Sequence, residues 1–382
     1  MNAAFFTATS AGRLVQTSDG SSAFVPSPLP PQITLTWELM HALTAAERAL
    51  GNLRGVGTTL PNANLLIQQF IRREAVLSSR IEGTEASIGD LVVFEAAGNV
   101  TSENSDVREV ANYIAALEYG FTRLSDLPLS LRFIREVHER LMHGVRGTNR
   151  APGEFRRLQN WIGAPGSTMA EARYVPPPVA EMNEALDAFE KFLHAPSELP
   201  ALLRLALIHY QFEAIHPFLD GNGRVGRLLL TFLLRLEGLL EEPLLYLSAY
   251  FEKNRSEYYD RLLDISHRGA WEEWIFYFLR AVEEQSNDAV ARAKRIFALR
   301  DNYRTRVTTA RSSALLHAII DRLFDSPGVT IARIAKQLDI TYPSAKNNVE
   351  KLVAFGILSP WGEAGRNRLY VANEILALVD GS

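Results

Sequence analysis

Apolar residues along this chain recur mostly at helical spacing, and the elements they predict change character twice. The first residues, before and through the proline-rich PSPLPPQ at 26–32, read as a loose or strand-forming lead-in. Long apolar-periodic stretches with few runs of β-branched residues then continue to about residue 300, so the class is mostly α. In the stretch from Pro61 to Gly83, Leu66, Phe70, Leu77 and Ile81 recur at spacings of four and seven, as one helix face requires. Pro61 with Asn62 makes the start and Gly83 the stop. Further helices are expected over 106–122, 129–143, 178–194, 199–214, 224–237, 254–267 and 270–297. Residues 152–178 break the period with glycine, proline and aromatic residues and read as a hairpin or ordered loop. Loops of that length inside a compact domain are usually functional. From about 312 the order becomes helix, short helix, turn, second helix and two short strands. That order predicts a winged helix-turn-helix, with IARIAKQL and PSAKNNVEKLVAFGIL as the helix pair.

Length and composition narrow the picture. A chain of 382 residues suggests two or three domains, placed at 1–100, 101–300 and 301–382. The sequence holds no apolar run near the ~20 residues that span a bilayer, so no membrane contact is expected. The first residues lack the pattern of a signal peptide. The absence of cysteine excludes disulfides, thiolate zinc sites and a cysteine nucleophile, and fits a reducing cytoplasm. With a net charge of −4, nucleic-acid binding would need a local patch. Residues 312–382 carry seven Lys or Arg against seven Asp or Glu, which leaves Lys346, Lys351, Arg366 and Arg368 as the available patch. DNA or a protein is the expected partner there.

The densest chemistry is HPFLDGNGRVGR, His216 to Arg227. Gly221 to Gly226 matches G-x-G-x-x-G, but no buried strand precedes it and nothing nearby alternates strand with helix, so a dinucleotide fold is rejected. What remains is a glycine-rich turn opening a helix, whose free amides and positive dipole end form an anion nest. Arg224 and Arg227, three residues apart, then lie on one side of the first turn and can clamp further phosphate oxygens. Asp220 can hold Mg²⁺, which takes one or two carboxylates and leaves the rest to phosphates and water. His216 stands where a group titrating near neutrality can take a proton from an incoming hydroxyl.

This segment resembles the signature of the Fic (Fido) family, H-P-F-x-[D/E]-G-N-G-R-x-x-R, at every defined position. The stretches APGEFRRLQNWIG, ARYVPPP and LYLSAYFEKNRSEYYDRL are also similar to multi-domain bacterial members. The resemblance implies a helical Fic core with a β-hairpin flap, an N-terminal helical region and a C-terminal winged helix-turn-helix. It implies transfer of AMP from ATP to a Ser, Thr or Tyr hydroxyl of a target protein, and of the chain itself, with release of pyrophosphate. His216 would be the general base and Asp220 the magnesium ligand. Gly221, Asn222, Gly223, Val225 and Gly226 would cradle the nucleotide phosphates, with Arg224 and Arg227 on the β and γ phosphates. Ile162 and Tyr259 would contact adenine, and Tyr174, Val175 and Pro176 would offer a flap edge to the target peptide.

SSRIEG places Ser78 and Glu82 at i and i+4, ahead of Gly83. It resembles the family's inhibitory motif [S/T]-x-x-x-E-[G/N], which implies that Glu82 pairs with Arg227 and displaces the γ-phosphate. Two alternatives remain: a hydrolase that removes AMP at the same site, and a DNA-binding regulator whose Fic core senses a nucleotide. A homodimer would fit the resemblance.

Overall fold

In the computed structural model, residues 1–7, 11–59, 64–96, 105–144, 151–164, 166–308, 314–362 and 368–380 are described. The lead-in forms an antiparallel hairpin, β1 (Gly12–Gln16) and β2 (Ser22–Pro26), with Gly12 opposite Pro26. Helices follow as α1 (Trp37–Thr59), α2 (Asn64–Ile81), α3 (Ile88–Ala96), α4 (Ser105–Arg123), α5 (Leu131–Leu141) and α6 (Val179–His194). Next come α7 (Ala201–Ile215), α8 (Asn222–Leu236), α9 (Ser248–Lys253), α10 (Arg255–Arg268) and α11 (Trp271–Thr308). The last part holds α12 (Ala314–Asp325), β3 (Gly328–Thr330), α13 (Ile331–Gln337), α14 (Tyr342–Ala354), β4 (Ser359–Trp361), β5 (Leu369–Val371) and α15 (Asn373–Asp380). No described helix is long and apolar enough to cross a membrane.

Helix α7 explains where the core sits. Nearly all of its residues are buried, charged Arg204 and polar Gln211 included, so it is a central rod rather than an amphipathic surface helix. Beside it, α8 buries Leu228, Leu229, Leu230, Phe232, Leu233 and Leu234. Each of these contributes roughly 1.5–3 kcal/mol by leaving water. Helices α4 and α5 pack on α8, and Gly120 of α4 leaves the space that the Phe232 ring fills. The carboxyl end of α7 and the amino end of α8 therefore meet inside the protein, joined by a short loop.

Helix α2 is fixed on two sides. Glu74 and Ser78 face inward, and Glu74 accepts hydrogen bonds from Tyr113 of α4 at 2.8 Å and from Ser248 of α9. On the other side Gln69 donates to the Phe324 carbonyl of α12, Arg72 pairs with Glu95 of α3 at 3.0 Å, and Arg73 reaches Asp288 of α11 at 3.7 Å. The start expected at Pro61 and Asn62 lies outside the described residues.

Several elements differ from the periodicity reading. Helix α1 contains Gly51, Gly55 and Gly57, poor helix formers, yet packing along α11 sustains it. Helix α11 continues past residue 297 to Thr308, so the division placed at 300 falls inside a helix. After α12 a three-stranded antiparallel sheet of order β3-β5-β4 forms, to which Gly328–Thr330 adds a strand that the reading missed. Helices α13 and α14 pack on each other, with Thr330 and Thr341 capping their amino ends. Arg292 of α11 donates to the Leu378 and Val379 carbonyls of α15, which anchors the C-terminal residues to the long helix.

Candidate active site

The α7–α8 loop is built against its own strain. His216 closes α7 in the left-handed conformation at φ 49°, which costs a residue bearing a Cβ roughly 1–2 kcal/mol. Gly221 opens α8 at φ 77°, where glycine is at ease. The carbonyls between them are held from outside. Arg156 Nε donates to the His216 carbonyl at 3.0 Å, and the Arg156 amide donates to the Pro217 carbonyl at 2.9 Å. Asn160 Nδ2 reaches the Phe218 carbonyl at 2.9 Å. His138 accepts from the Gly153 amide at Nδ1, so its Nε2–H donates to the Asp220 carbonyl at 3.0 Å. Its ring also stacks on Phe218 at 3.7 Å. None of Arg156, Asn160 or His138 stood out in the sequence, because a buried anchor has no motif of its own.

A cavity of about 640 Å³ opens beside this loop, within the range of small-molecule sites. Its wall is mixed in chemistry. His216, Asp220, Gly223, Arg227, Glu82 and Glu213 line it together with Ile162, Tyr174, Tyr210, Tyr258, Tyr259 and Leu263. A ligand with an anionic part and a flat aromatic part suits such a wall.

Arg227, buried on α8, is held by Ser78 of α2 and by Glu82 in the turn that follows α2. Its Nε donates to Ser78 Oγ at 2.8 Å and its Nη2 donates to the Ser78 carbonyl at 2.9 Å and to Glu82 Oε1 at 2.6 Å. Burial alone would raise Glu82, but the charge and hydrogen bond of Arg227 outweigh it and hold the carboxyl below its ordinary range. Glu82 keeps about a third of its side chain open, at 32%. Gly223 makes this arrangement possible, since a Cβ there would collide with the Glu82 carboxylate. Gly83, at φ 100°, ends the turn.

Five of the residues expected at the phosphates are arranged otherwise. Arg224 does not share a face with Arg227 toward the cavity. It is buried, donates to Glu109 of α4 at 2.9 Å and lies 3.6 Å from Asp220, because residues three apart on a helix differ by about 60° and Glu109 captures the outer direction. Asn222 turns its amide back on the loop, accepting from the Phe218 amide and donating to its carbonyl, both at 2.8 Å. Val225 is buried in the core. Gly226 faces Glu213, whose carboxyl occupies the space a Cβ would need. Gly221 sits over His138 and Met142. Asp220 remains on the cavity wall, with Oδ1 accepting the Gly221 amide at 2.7 Å.

The flap is a hairpin of one bridge, Ile162 opposite Tyr174, with hydrogen bonds of 2.8, 2.8 and 3.1 Å. The edge expected at Tyr174, Val175 and Pro176 is closed. Tyr174 donates to the Ala214 carbonyl at 2.8 Å, and the Val175 carbonyl accepts the Phe24 amide of β2 at 2.9 Å. The Pro176 carbonyl accepts from Gln159. The N-terminal hairpin has taken the place assigned to a target. The open limb is the other one, where Leu158, Trp161 and Ile162 are exposed. Tyr259 and Ile162 both line the cavity, and Tyr259 donates to the Ile81 carbonyl at 3.4 Å. In the C-terminal part, Lys346 pairs with Glu350 at 3.7 Å, Lys351 is exposed and Arg368 is half-buried, while Arg366 lies outside the described residues.

Buried titratable groups make stability depend on pH in two opposed ways. Burial pushes His216 and His138 down to about 4 and His209 to about 3, from 6.5. It pushes Glu74 up to about 7 and Glu213 to about 8, from 4.5. Below pH 6.5 the unfolded chain gains protons that the native histidines refuse, so stability falls with acid. From pH 4.5 upward the native carboxyls hold protons that the unfolded chain has lost, so their contribution falls with base up to about pH 8; between pH 4.5 and 6.5 the three histidines outweigh these two carboxyls, and above 6.5 the carboxyls act alone. The melting temperature is expected to peak near pH 6.5, with Glu213→Gln flattening the alkaline limb. Melting temperatures that climb steadily to pH 8.5 would contradict this balance.

Comparison with known proteins gives a consistent picture. Residues 40–122 match the family model described as Fic/DOC family N-terminal, and residues 128–234 match the Fic/DOC family model. A protein adenylyltransferase Fic of Drosophila willistoni is 28% identical over 256 residues, 66% of this chain and 47% of that one. Its counterpart in Drosophila grimshawi is 28% identical over 179 residues, covering 46% and 33%. The chain thus spans less than half the length of these relatives. Among solved structures, a Fic family protein from Desulfovibrio desulfuricans G20 aligns with a TM-score of 0.58 at 18% identity, over 90% of this chain and 98% of that one. Fic-1 (residues 134–508) from C. elegans aligns with a TM-score of 0.53 at 22% identity, over 69% and 74%.

Proposed function

The chain carries the Fic/DOC-family domain behind that family's N-terminal region, and from that premise we propose that it is a protein adenylyltransferase, held in check by Glu82. It transfers AMP from ATP to a Ser, Thr or Tyr hydroxyl of a target protein, and of itself. The observation that carries the reading is the cavity whose wall brings His216, Asp220 and Arg227 together with Ile162, Tyr258 and Tyr259. His216 Nδ1 lies 3.3 Å from the Glu213 carbonyl, which accepts its proton and leaves Nε2 as the base. The target oxygen attacks the α-phosphorus as its proton passes to Nε2. The bond from that phosphorus to the bridging oxygen breaks, and pyrophosphate leaves. Arg227 and the first-turn amides of α8, which have no partner within their helix, hold the phosphates. Arg224 and Asn222 contribute by fixing Asp220 and Phe218 rather than by touching the nucleotide.

Asp220 fits a magnesium ion: it is a half-buried carboxylate on the cavity wall, a hard oxygen donor of the kind of which this ion takes one or two from protein. Among the described residues no group of three or more His, Asp or Glu is placed to hold a metal, so nucleotide phosphates and water complete the ligand set. Bound there, the ion supplies neutralisation of charge on the transferring phosphate. One observation favours a second reading, removal of AMP: the Glu82 carboxylate opens partly to the cavity, where it can align a water. Residues 301–382 enter the proposal as a winged helix-turn-helix that contacts DNA or a protein.

The test uses ATP labelled either at the α-phosphate or at the γ-phosphate, with the Glu82→Gly protein and cell extract. Label appearing on protein only from the α-position is expected. Label appearing from the γ-position indicates phosphoryl transfer and removes the reading, and wild-type protein that strips AMP from a modified target establishes the second one.

A further inference from the structure

Arg156 is one of two consecutive arginines in GEFRR, yet it is 2% exposed while its neighbour Arg157 lies in solvent. Its guanidinium makes only hydrogen bonds to carbonyls. Nε donates to His216 at 3.0 Å, Nη1 donates to Leu158 at 3.3 Å, and Nη2 donates to Pro177. Among the described residues no carboxylate pairs with it. The three acceptors belong to three segments: the end of α7, the open limb of the flap and the stretch that leaves the flap for α6. A buried cation satisfied by dipoles alone is an uncommon choice, because a desolvated charge ordinarily takes an opposite charge as partner. The fork geometry of arginine is what lets one side chain hold three separate carbonyls.

We propose that Arg156 is the positioning residue of this site, tying the flap to His216 so that the open flap limb and the base keep one fixed spacing. The inference rests on the reading of His216 as the base. A target segment lying along Leu158–Ile162 then presents its hydroxyl at a distance set by the Leu158–Arg156–His216 link. A misplacement of about 1 Å at such a site costs on the order of 100-fold in rate.

The same cation acts on the imidazole through its field. Burial first, and then the positive charge of Arg156, hold His216 down to about 4, against the opposing pull of the Glu213 carbonyl and of Glu82 and Asp220. These are the charges that face His216: Arg156 from the loop before the flap, Glu82 from the turn after α2 and Asp220 from its own loop. The Glu213 carboxyl lines the same cavity. Arg156 therefore favours the unprotonated ring that accepts a proton.

Two substitutions separate position from charge. Arg156→Met removes both, and Arg156→Lys keeps the charge but cannot span three carbonyls. Histidine-selective NMR titration of the otherwise unaltered chain, with the His216 resonance identified by its loss in His216→Ala, gives a readout independent of any reaction. In Arg156→Met the His216 midpoint is expected to rise by about one pH unit, and in Arg156→Lys to stay near that of the unaltered chain. In the Glu82→Gly background, AMP transfer is expected to fall about 100-fold for methionine and about 10-fold for lysine, with ATP affinity changed by no more than about twofold. A His216 midpoint that does not move in Arg156→Met overturns the electrostatic part, and equal transfer in Arg156→Lys and its parent overturns the positioning part. If Arg156→Met fails to fold, Arg156→Lys still decides the positioning. Should the Glu82→Gly parent transfer no AMP at all, the proposed activity fails while the titration still tests Arg156.

Discussion

Replacing Glu82 by glycine is expected to raise AMP incorporation by about 10- to 100-fold, the release of one charge-assisted hydrogen bond worth roughly 1.5–3 kcal/mol. The guanidinium of Arg227 spends Nη2 on Glu82 and the Ser78 carbonyl, and Nε on the Ser78 hydroxyl. Removing the carboxylate frees the direction that points into the cavity while Ser78 still holds the side chain in place. It also empties the space above Gly223, where phosphate oxygens can approach the amides of α8. Because Glu82 is about a third exposed, the pair is partly screened by solvent, and the gain belongs at the modest end of what a fully buried pair gives. Glu82→Gln keeps the shape without the charge and should fall between the two. Equal incorporation by the unaltered chain and Glu82→Gly, measured with α-labelled ATP, would remove the inhibitory role.

The opposite effect is expected of His216→Ala. Loss of a positioned general base costs on the order of 10²- to 10⁴-fold, so transfer in the Glu82→Gly background should drop close to background. Nucleotide affinity should change little, since the imidazole meets the hydroxyl rather than the phosphates. This separates base chemistry from binding: calorimetric ATP binding that survives while transfer is lost supports the role, whereas full transfer by the double variant places the base elsewhere. The alanine also relieves no strain, because a Cβ remains in the left-handed conformation at residue 216.

Much of this site was legible in the sequence because it is local. His216, Asp220, Gly223 and Arg227 lie within one turn and one loop, and the helix that follows announces itself by its apolar period. The pairing of Glu82 with Arg227 was readable only through resemblance, since nothing in composition links positions 145 residues apart. Arg224 shows the limit of local reasoning. Its spacing from Arg227 is right for a shared clamp, but Glu109, on a helix far upstream, decides where it points. The flap edge failed for a similar reason: Val175 looks like an open strand until Phe24 is known to cover it. Arg156 and Arg157 are indistinguishable as letters, and only packing tells the anchor from the surface charge. In the C-terminal part, β3 was missed because three residues carry too little alternation to register as a strand.

Helix α2 sets a limit on how this chain can vary. Gln69 is matched to the Phe324 carbonyl and Glu82, in the turn that closes the helix, to Arg227, thirteen positions further along. One residue inserted between them turns the far end by about 100° and moves it 1.5 Å. The carboxylate would then leave Arg227 while the contact with Phe324 persisted. Substitutions between these points are tolerable wherever they keep the helix, but changes of length are not, so this segment should drift in composition across lineages while holding its residue count.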